Sequence, residues 1–102
     1  MLQHAFPRSF KTNYIEADHG EGIYIYDNEG KKYLDGCCGA LISNLGHRNR
    51  EVIDAVKAQY EKIEFAHPSR WHCSIVEEAA SAVAETAPGD LDQVWFVSGG
   101  SE

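Results

Sequence analysis

The chain has 102 residues, of which 43% are hydrophobic and 25% are charged, a balance typical of a globular protein with one domain at most. The 16 acidic and 9 basic residues give a net charge of -7, and the lysines and arginines are scattered, which argues against nucleic acid as a partner. No apolar stretch approaches the roughly 18 residues of a membrane span, and the opening Met-Leu-Gln-His has no basic segment leading into an apolar one, so we expect a cytoplasmic protein.

The first predicted element is a β-hairpin from Gly22 to Leu34. Its sequence is GIYIYDNEGKKYL, in which isoleucine alternates with tyrosine in the first strand. A second short strand segment follows the turn sequence DNEG. Gly30 stands where a short hairpin loop needs a left-handed residue. The residues of the turn and the alternating pattern of the strands therefore both predict a hairpin.

A loop is predicted from Asp35 to Gly46. Its sequence, DGCCGALISNLG, is punctuated by glycine and shows neither a helical nor a strand period. Leu41, Ile42 and Leu45 remain available for burial, so we expect the loop to be held against another part of the protein.

Two helices are predicted after the loop. Asn49 is a plausible N-cap for the first, whose apolar face consists of Val52, Ile53, Val56, Tyr60 and Ile63. Pro68 breaks the helical pattern between Phe65 and Trp71. Ser74 and Glu77 match the capping-box pattern for the second, whose small-residue face consists of Val76, Ala79, Ala80, Val83, Ala84 and Ala87. Pro88-Gly89 is expected to stop it.

A buried strand is predicted from Val94 to Val97, because a short continuous apolar run is typical of strands covered on both faces in parallel sheets. Such a strand needs neighbouring strands for its backbone groups, and the hairpin is better suited to a separate small sheet. We therefore interpret the chain as the opening of a larger α/β protein.

The segment Ser98-Gly99-Gly100-Ser101 directly after this strand predicts an anion site. Paired glycines let backbone amides approach a ligand closely, and a serine adds a hydroxyl donor at a helix start. An ordinary turn or linker is the alternative. Neither G-x-x-x-x-G-K-[ST] nor G-x-G-x-x-G is present, so a ligand smaller than a dinucleotide is indicated.

Several motifs in register now resemble the amino-terminal stretch of class III aminotransferases: GIYIYDNEGKKYLDG, NLGH, FAHPSRW and AETAPGDLDQVWFVSGGSE. The resemblance implies the amino-terminal part of an α/β fold-type I transferase dependent on pyridoxal 5'-phosphate (PLP). This part would hold a small-domain hairpin, two helices and the first strand of the large-domain sheet, and the fold would be incomplete. Residues 1–66 would be the small-domain segment, and residues 67–102 the start of the PLP-binding large domain.

The resemblance also implies site residues, substrates and partners. The phosphate of PLP would bind Gly99, Gly100 and Ser101, and the substrate pocket would be bordered by Ala40, Leu41, Phe65 and Trp71. An amine or amino acid would give its amino group to a 2-oxo acid, in a homodimer or tetramer. Arg50 stands where the family commonly has proline, and Trp71 where related sequences often have phenylalanine, which alters the size of the pocket.

The family's catalytic groups lie later in its sequences: the lysine that binds the cofactor, the aspartate that pairs with the pyridine nitrogen and the aromatic residue that stacks on the ring. We therefore assign no catalytic residue and expect the 102 residues alone to be inactive. An aminomutase, racemase or decarboxylase of the same fold remains an alternative. A truncated chain without enzymatic activity is another.

Three further side-chain types have simpler interpretations. For His47 a structural hydrogen bond is favoured over a titrating role, and for Arg70 a surface ion pair is favoured over binding of a substrate carboxylate. The odd set Cys37, Cys38 and Cys73 argues against a disulfide framework, and we expect small buried hydrophobic residues. No pair of cysteines or histidines has zinc-ligand spacing, so no metal site is predicted.

Overall fold

A computed structural model describes residues 4–102, which form two compact units that divide between Gln59 and Tyr60. The described elements, in chain order, are β1 (Ala17–Glu21), β2 (Tyr24–Asp27), β3 (Lys32–Leu34), α1 (Cys38–Leu41), α2 (Arg50–Tyr60) and α3 (Ser74–Ala84). The expectation that no targeting segment opens the chain rests partly on the first three residues, which lie outside the described ones.

The first unit holds an antiparallel sheet in the order β1-β2-β3. The pairing of β2 with β3 confirms the predicted hairpin, and Gly30 has the expected left-handed φ of 82°. β1 was not predicted, because its sequence ADHGE lacks the β-branched and aromatic residues that favour strands. It pairs with β2 through a register shift between Ala17 and His19, and the His19 ring stacks on that of Tyr26 at 4.5 Å.

The Asp27 carboxylate organises the hairpin turn. It is the one side chain classed as buried among residues 4–102, at 7% exposure. Oδ1 accepts the amides of Glu29 at 3.0 Å and Lys31 at 2.8 Å, and Oδ2 accepts the Tyr33 hydroxyl at 2.9 Å. Burial alone raises the pKa of Asp27, but these hydrogen bonds together outweigh it and the pKa is lowered. The turn is therefore held by an ionised carboxylate.

Helix α2 begins as predicted. The Val52 amide donates to Asn49 Oδ1 at 3.2 Å, so Asn49 caps the helix, and Arg50 pairs with Asp54 one turn later at 2.8 Å. The helix ends at Tyr60, before the last residue of the predicted apolar face.

Helix α3, in the second unit, does not begin with the predicted capping box. Ser74 is already helical, and the N-cap is Cys73, whose side chain makes no capping hydrogen bond. The Cys73 carbonyl accepts the amides of Val76 at 3.0 Å and Glu77 at 3.4 Å instead. The pattern placed the helix correctly but its first residue one position too late.

The predicted strand from Val94 to Val97 is not formed, since residues 91–97 lie in no helix or strand. A central strand exists only where neighbours accept and donate its backbone hydrogen bonds. Within the described residues, β1, β2 and β3 pair only with one another. Trp95 is accordingly 90% exposed.

Apolar side chains are uncovered in both units. No hydrophobic residue among residues 4–102 is classed as buried, and the apolar faces of α2 and α3 lie open at Val52, Val56, Val76 and Val83. Backbone pairing and local hydrogen bonds therefore define the elements here, without a hydrophobic core. In the described part of the chain, no helix has the length and apolar character needed to cross a membrane.

Candidate functional site

The predicted pocket residues Ala40 and Leu41 lie in the first unit, on α1. This short helix is left-handed: Cys38, Gly39, Ala40 and Leu41 have φ values of 49°, 57°, 62° and 70°. The Leu41 amide donates to the Cys37 carbonyl at 3.1 Å, and the Ile42 amide donates to the Cys38 carbonyl at 2.8 Å. A left-handed conformation disfavours every residue with a β-carbon, so the turn persists only where its surroundings enforce it.

The loop prediction for residues 35–46 therefore needs a correction, because it missed this turn. Residues 38–41 include only one glycine, and the other three residues adopt the left-handed conformation although they carry side chains. The cysteines also differ from expectation. All three are free thiols as expected, but Cys37 is exposed and Cys38 and Cys73 are partly exposed.

Asp35 joins the two ends of this loop. Its Oδ1 accepts the Cys38 amide at 3.0 Å, and its Oδ2 lies 2.7 Å from Nε2 of His47. The two side chains are only 10% and 23% exposed, respectively. The hydrogen bond from His47, followed by those from backbone amides, lowers the pKa of Asp35 despite partial burial.

His47 is in turn fixed to the sheet. Its amide donates to the Gly22 carbonyl at 2.7 Å, and its carbonyl accepts the Gly22 amide at 3.1 Å. Gly46 has a φ of 81°, and a β-carbon added to it would stand 3.0 Å from the same Gly22 carbonyl oxygen. The structural hydrogen-bonding role expected of His47 is confirmed, and its partner Asp35 was not foreseen.

An open groove follows the loop toward the start of α2. Its lining includes the apolar side chains of Ile42, Leu45, Val52 and Ile53. Two of the three loop residues expected to be held against other protein, Ile42 and Leu45, thus border a shared groove. Both remain largely exposed, at 81% and 69%.

Phe65 and Trp71 lie in the second unit, on either side of Pro68. His67 organises this break: its carbonyl accepts the Trp71 amide at 3.2 Å, and its Nδ1 lies 2.9 Å from Ser69 Oγ. The Phe65 ring meets the His67 ring edge-on at 6.1 Å. The favoured ion pair of Arg70 is absent among the described residues.

The predicted phosphate turn already holds a carboxylate. Glu102 accepts the Gly99 amide at 2.6 Å and the Ser98 hydroxyl at 2.8 Å. These hydrogen bonds, that from Ser98 first, lower the pKa of Glu102. The Gly99 amide and the Ser98 hydroxyl therefore donate to a carboxylate of the same segment, a contact that was not predicted.

Two further amides of this turn remain open to a ligand. Within residues 4–102 we find no acceptor for the amides of Gly100 and Ser101, and a β-carbon at Gly100 would meet nothing within 4 Å. The donor set thus fits a phosphate ester in kind, with amides and a hydroxyl at one turn. No group of three His, Cys, Asp or Glu side chains suited to a metal ion occurs in the described residues.

Residues 5–102 match the sequence profile of the family described as aminotransferase class-III. The chain belongs to this family. An uncharacterized aminotransferase of Bacillus subtilis is 39% identical over the whole class III chain, which covers 23% of that relative. An acetylornithine aminotransferase of Methanopyrus kandleri is 38% identical over 81% of the chain and 21% of its own length. The chain thus spans less than a quarter of the length of each of these two relatives.

Solved structures confirm the fold expected of this class III chain. A transaminase from the marine bacterium Virgibacillus superimposes with a TM-score of 0.82 at 30% identity, over 96% of this chain and 24% of that one. An (S)-enantioselective omega-transaminase from Thermomicrobium roseum gives a TM-score of 0.79 at 32% identity, over 88% and 22%. The fold of the described residues is therefore that of the amino-terminal part of a fold-type I transferase.

Proposed function

We propose that this chain is the amino-terminal portion of a PLP-dependent aminotransferase, which moves an amino group from an amine or amino acid to a 2-oxo acid. One observation carries the proposal: the family match over residues 5–102 ends on a turn whose amide and hydroxyl hold an anion. The relatives named above are called aminotransferases or transaminases, which favours amino transfer over the racemase, decarboxylase and aminomutase alternatives.

Gly99, Gly100 and Ser101 would bind the phosphate of PLP. The Gly99 amide donates to the Glu102 carboxylate, which supports a negatively charged partner for this turn, and the amides of Gly100 and Ser101 have no acceptor among the described residues. An omega transaminase from Pseudomonas jessenii, 29% identical to this chain, is solved in complex with PMP, the aminated form of PLP. PLP, when bound, supplies the electron sink that amino transfer requires. The chain's own part is to grip and orient the phosphate end.

Ala40, Leu41, Phe65 and Trp71 would border the substrate pocket. Leu41, Phe65 and Trp71 are 82%, 70% and 68% exposed, so their apolar surfaces are free to meet a substrate or another part of the protein. Residues 1–66 would serve as the small-domain segment and residues 67–102 as the start of the large domain. The complete enzyme would be a cytoplasmic homodimer or tetramer.

The test uses the complete protein that carries these residues. We expect saturable binding of PLP, and amino transfer from a panel of amino acids and amines to pyruvate or 2-oxoglutarate. Ser101→Ala removes a hydroxyl donor to a charged group, so the Kd for PLP should rise about tenfold. Ser81→Ala, on the exposed surface of α3, is the matched control and should leave the Kd unchanged.

Two outcomes would contradict the proposal. If the wild-type protein binds no PLP, the chain is not part of a PLP enzyme. If PLP binds but no 2-oxo acid is consumed, while an amino acid is racemised, decarboxylated or rearranged, one of the alternative chemistries is correct.

A further inference from the structure

We propose that Asp35 and His47 are positioning residues for substrate selection, because together they hold the left-handed turn that presents Ala40 and Leu41. The inference rests on the proposed function, in which those two residues border the pocket. Neither Asp35 nor His47 needs to touch the substrate. Their effect passes through the backbone of residues 38–41.

The backbone of the turn is strained. Cys38, Ala40 and Leu41 carry β-carbons and all have φ between 49° and 70°, a conformation that residues other than glycine visit singly and seldom in succession. The exposed side chains of the turn contribute little, since Leu41 is 82% exposed. The stabilisation must therefore come from hydrogen bonds, both those within the turn and the one that Asp35 accepts from the Cys38 amide at its start.

Asp35 makes hydrogen bonds both to the start of the turn and to His47. The Asp35 carboxylate binds the Cys38 amide, at the start of the turn, through one oxygen, and binds His47 through the other. His47 follows directly after the loop, so one partly buried carboxylate closes both ends of residues 36–46. Because it is ionised, its hydrogen bonds are of the stronger, charge-assisted kind.

His47 is held in place by the sheet. His47 exchanges two backbone hydrogen bonds with Gly22, which lies between β1 and β2. A β-carbon at Gly20 would strike the imidazole, so the ring lies directly against the β1 backbone. The sheet, His47, Asp35 and the Cys38 amide thus form a continuous chain of contacts that ends at the predicted pocket wall.

The variants separate this role from that of an ordinary ion pair. Asp35→Ala removes both acceptors, and His47→Leu removes the side-chain donor. His47→Gln keeps a donor that can reach Asp35, so it should rescue the turn. Asp54→Ala is the matched control, because it removes an exposed carboxylate that pairs with Arg50 on α2.

The first measurement is peptide-resolved hydrogen exchange on the complete protein. In Asp35→Ala and His47→Leu, we expect exchange in residues 36–46 to accelerate about ten- to a hundredfold, as the loss of a hydrogen bond to a charged group predicts. Residues 24–34 of the hairpin should change little, and His47→Gln and Asp54→Ala should resemble wild type. Unchanged exchange in Asp35→Ala, or equal acceleration in the hairpin, would overturn the proposed clamp.

The second measurement is steady-state kinetics with a bulky and a small amino donor. Asp35→Ala should raise KM for the bulky donor about tenfold, as loss of pocket contacts predicts, while kcat for the small donor stays close to wild type. An unchanged KM for the bulky donor would overturn the link to the pocket. If the wild-type protein shows no amino transfer, the proposed function fails, whereas the exchange measurement still decides whether the clamp exists.

Discussion

The imidazole of His47 lies where a side chain on Gly20 would have to go. A β-carbon at Gly20 would stand 2.5 Å from Cγ and 2.6 Å from Cβ of His47, far inside van der Waals contact. Gly20 is therefore required for space, since its φ lies outside the left-handed region. The close approach is what lets His47 reach both Gly22 and Asp35.

Gly20→Ala should destabilise the complete protein because either the ring or the strand must shift. We expect the free energy of unfolding to fall by about 1 to 3 kcal/mol, the usual cost of overpacking. Gly36→Ala is the control, since a β-carbon there would meet nothing within 4 Å and its φ is not left-handed. Urea denaturation measures both. Equal effects of the two substitutions would show that His47 does not crowd Gly20.

The turn of residues 38–41 predicts different responses to substitution at two neighbouring positions. Gly39→Ala places a β-carbon at φ 57° and should cost about 1 kcal/mol of stability. Ala40→Gly relieves the same strain at φ 62° but frees the unfolded chain, so the two effects nearly cancel and stability should change by less than about 0.5 kcal/mol. Denaturation of the complete protein provides the measurement. A large loss for Ala40→Gly would mean that the turn is not left-handed.

The Asp35–His47 contact predicts a pH dependence on the acid side. The pKa of Asp35 is lowered in the folded state by its hydrogen bond from His47, so the carboxylate contributes stability above its unfolded pKa of about 3.9. That contribution is lost as pH falls through the lower folded pKa. The difference in melting temperature between wild type and Asp35→Asn should therefore shrink as the pH falls below about 4. A difference that persists in strong acid would exclude ionisation of Asp35 as its cause.

The 102-residue chain studied by itself should unfold without a sharp transition. No hydrophobic side chain among the described residues is classed as buried, and large apolar residues such as Trp95 and Phe6 are 90% and 89% exposed. Cooperative melting requires a core that is lost all at once, and this chain shows none in residues 4–102. We expect a broad thermal profile with binding of a hydrophobic dye. A sharp two-state melt at low concentration would contradict this expectation.

The elements that sequence patterns predicted are those with local causes. The hairpin follows from alternation and from a glycine at the turn, and α2 follows from an apolar period with Asn49 before it, all within a few residues. β1 escaped prediction because only its partner β2 makes it a strand. The run from Val94 to Val97 shows the converse, since its composition favours a strand that cannot form without neighbours.

The candidate site likewise contains features that the sequence indicated and features that it did not. The glycine-rich turn after residue 97 was recognisable, because its donors are adjacent in sequence. The Asp35–His47 pair was not, since the residues are twelve apart and neither pattern nor composition indicates that they meet. The left-handed turn was equally hidden, because alanine, leucine and cysteine have no intrinsic preference for it.

By itself, the sequence determined the family, the hairpin and the approximate extents of two helices. These properties rest on local chemistry and on motifs in a fixed order. Only the tertiary structure decided that one carboxylate ties the loop to the sheet through His47, and that residues 38–41 turn left-handed. The physical reason is that both features depend on contacts between distant residues, whose hydrogen bonds outweigh what each residue would prefer alone.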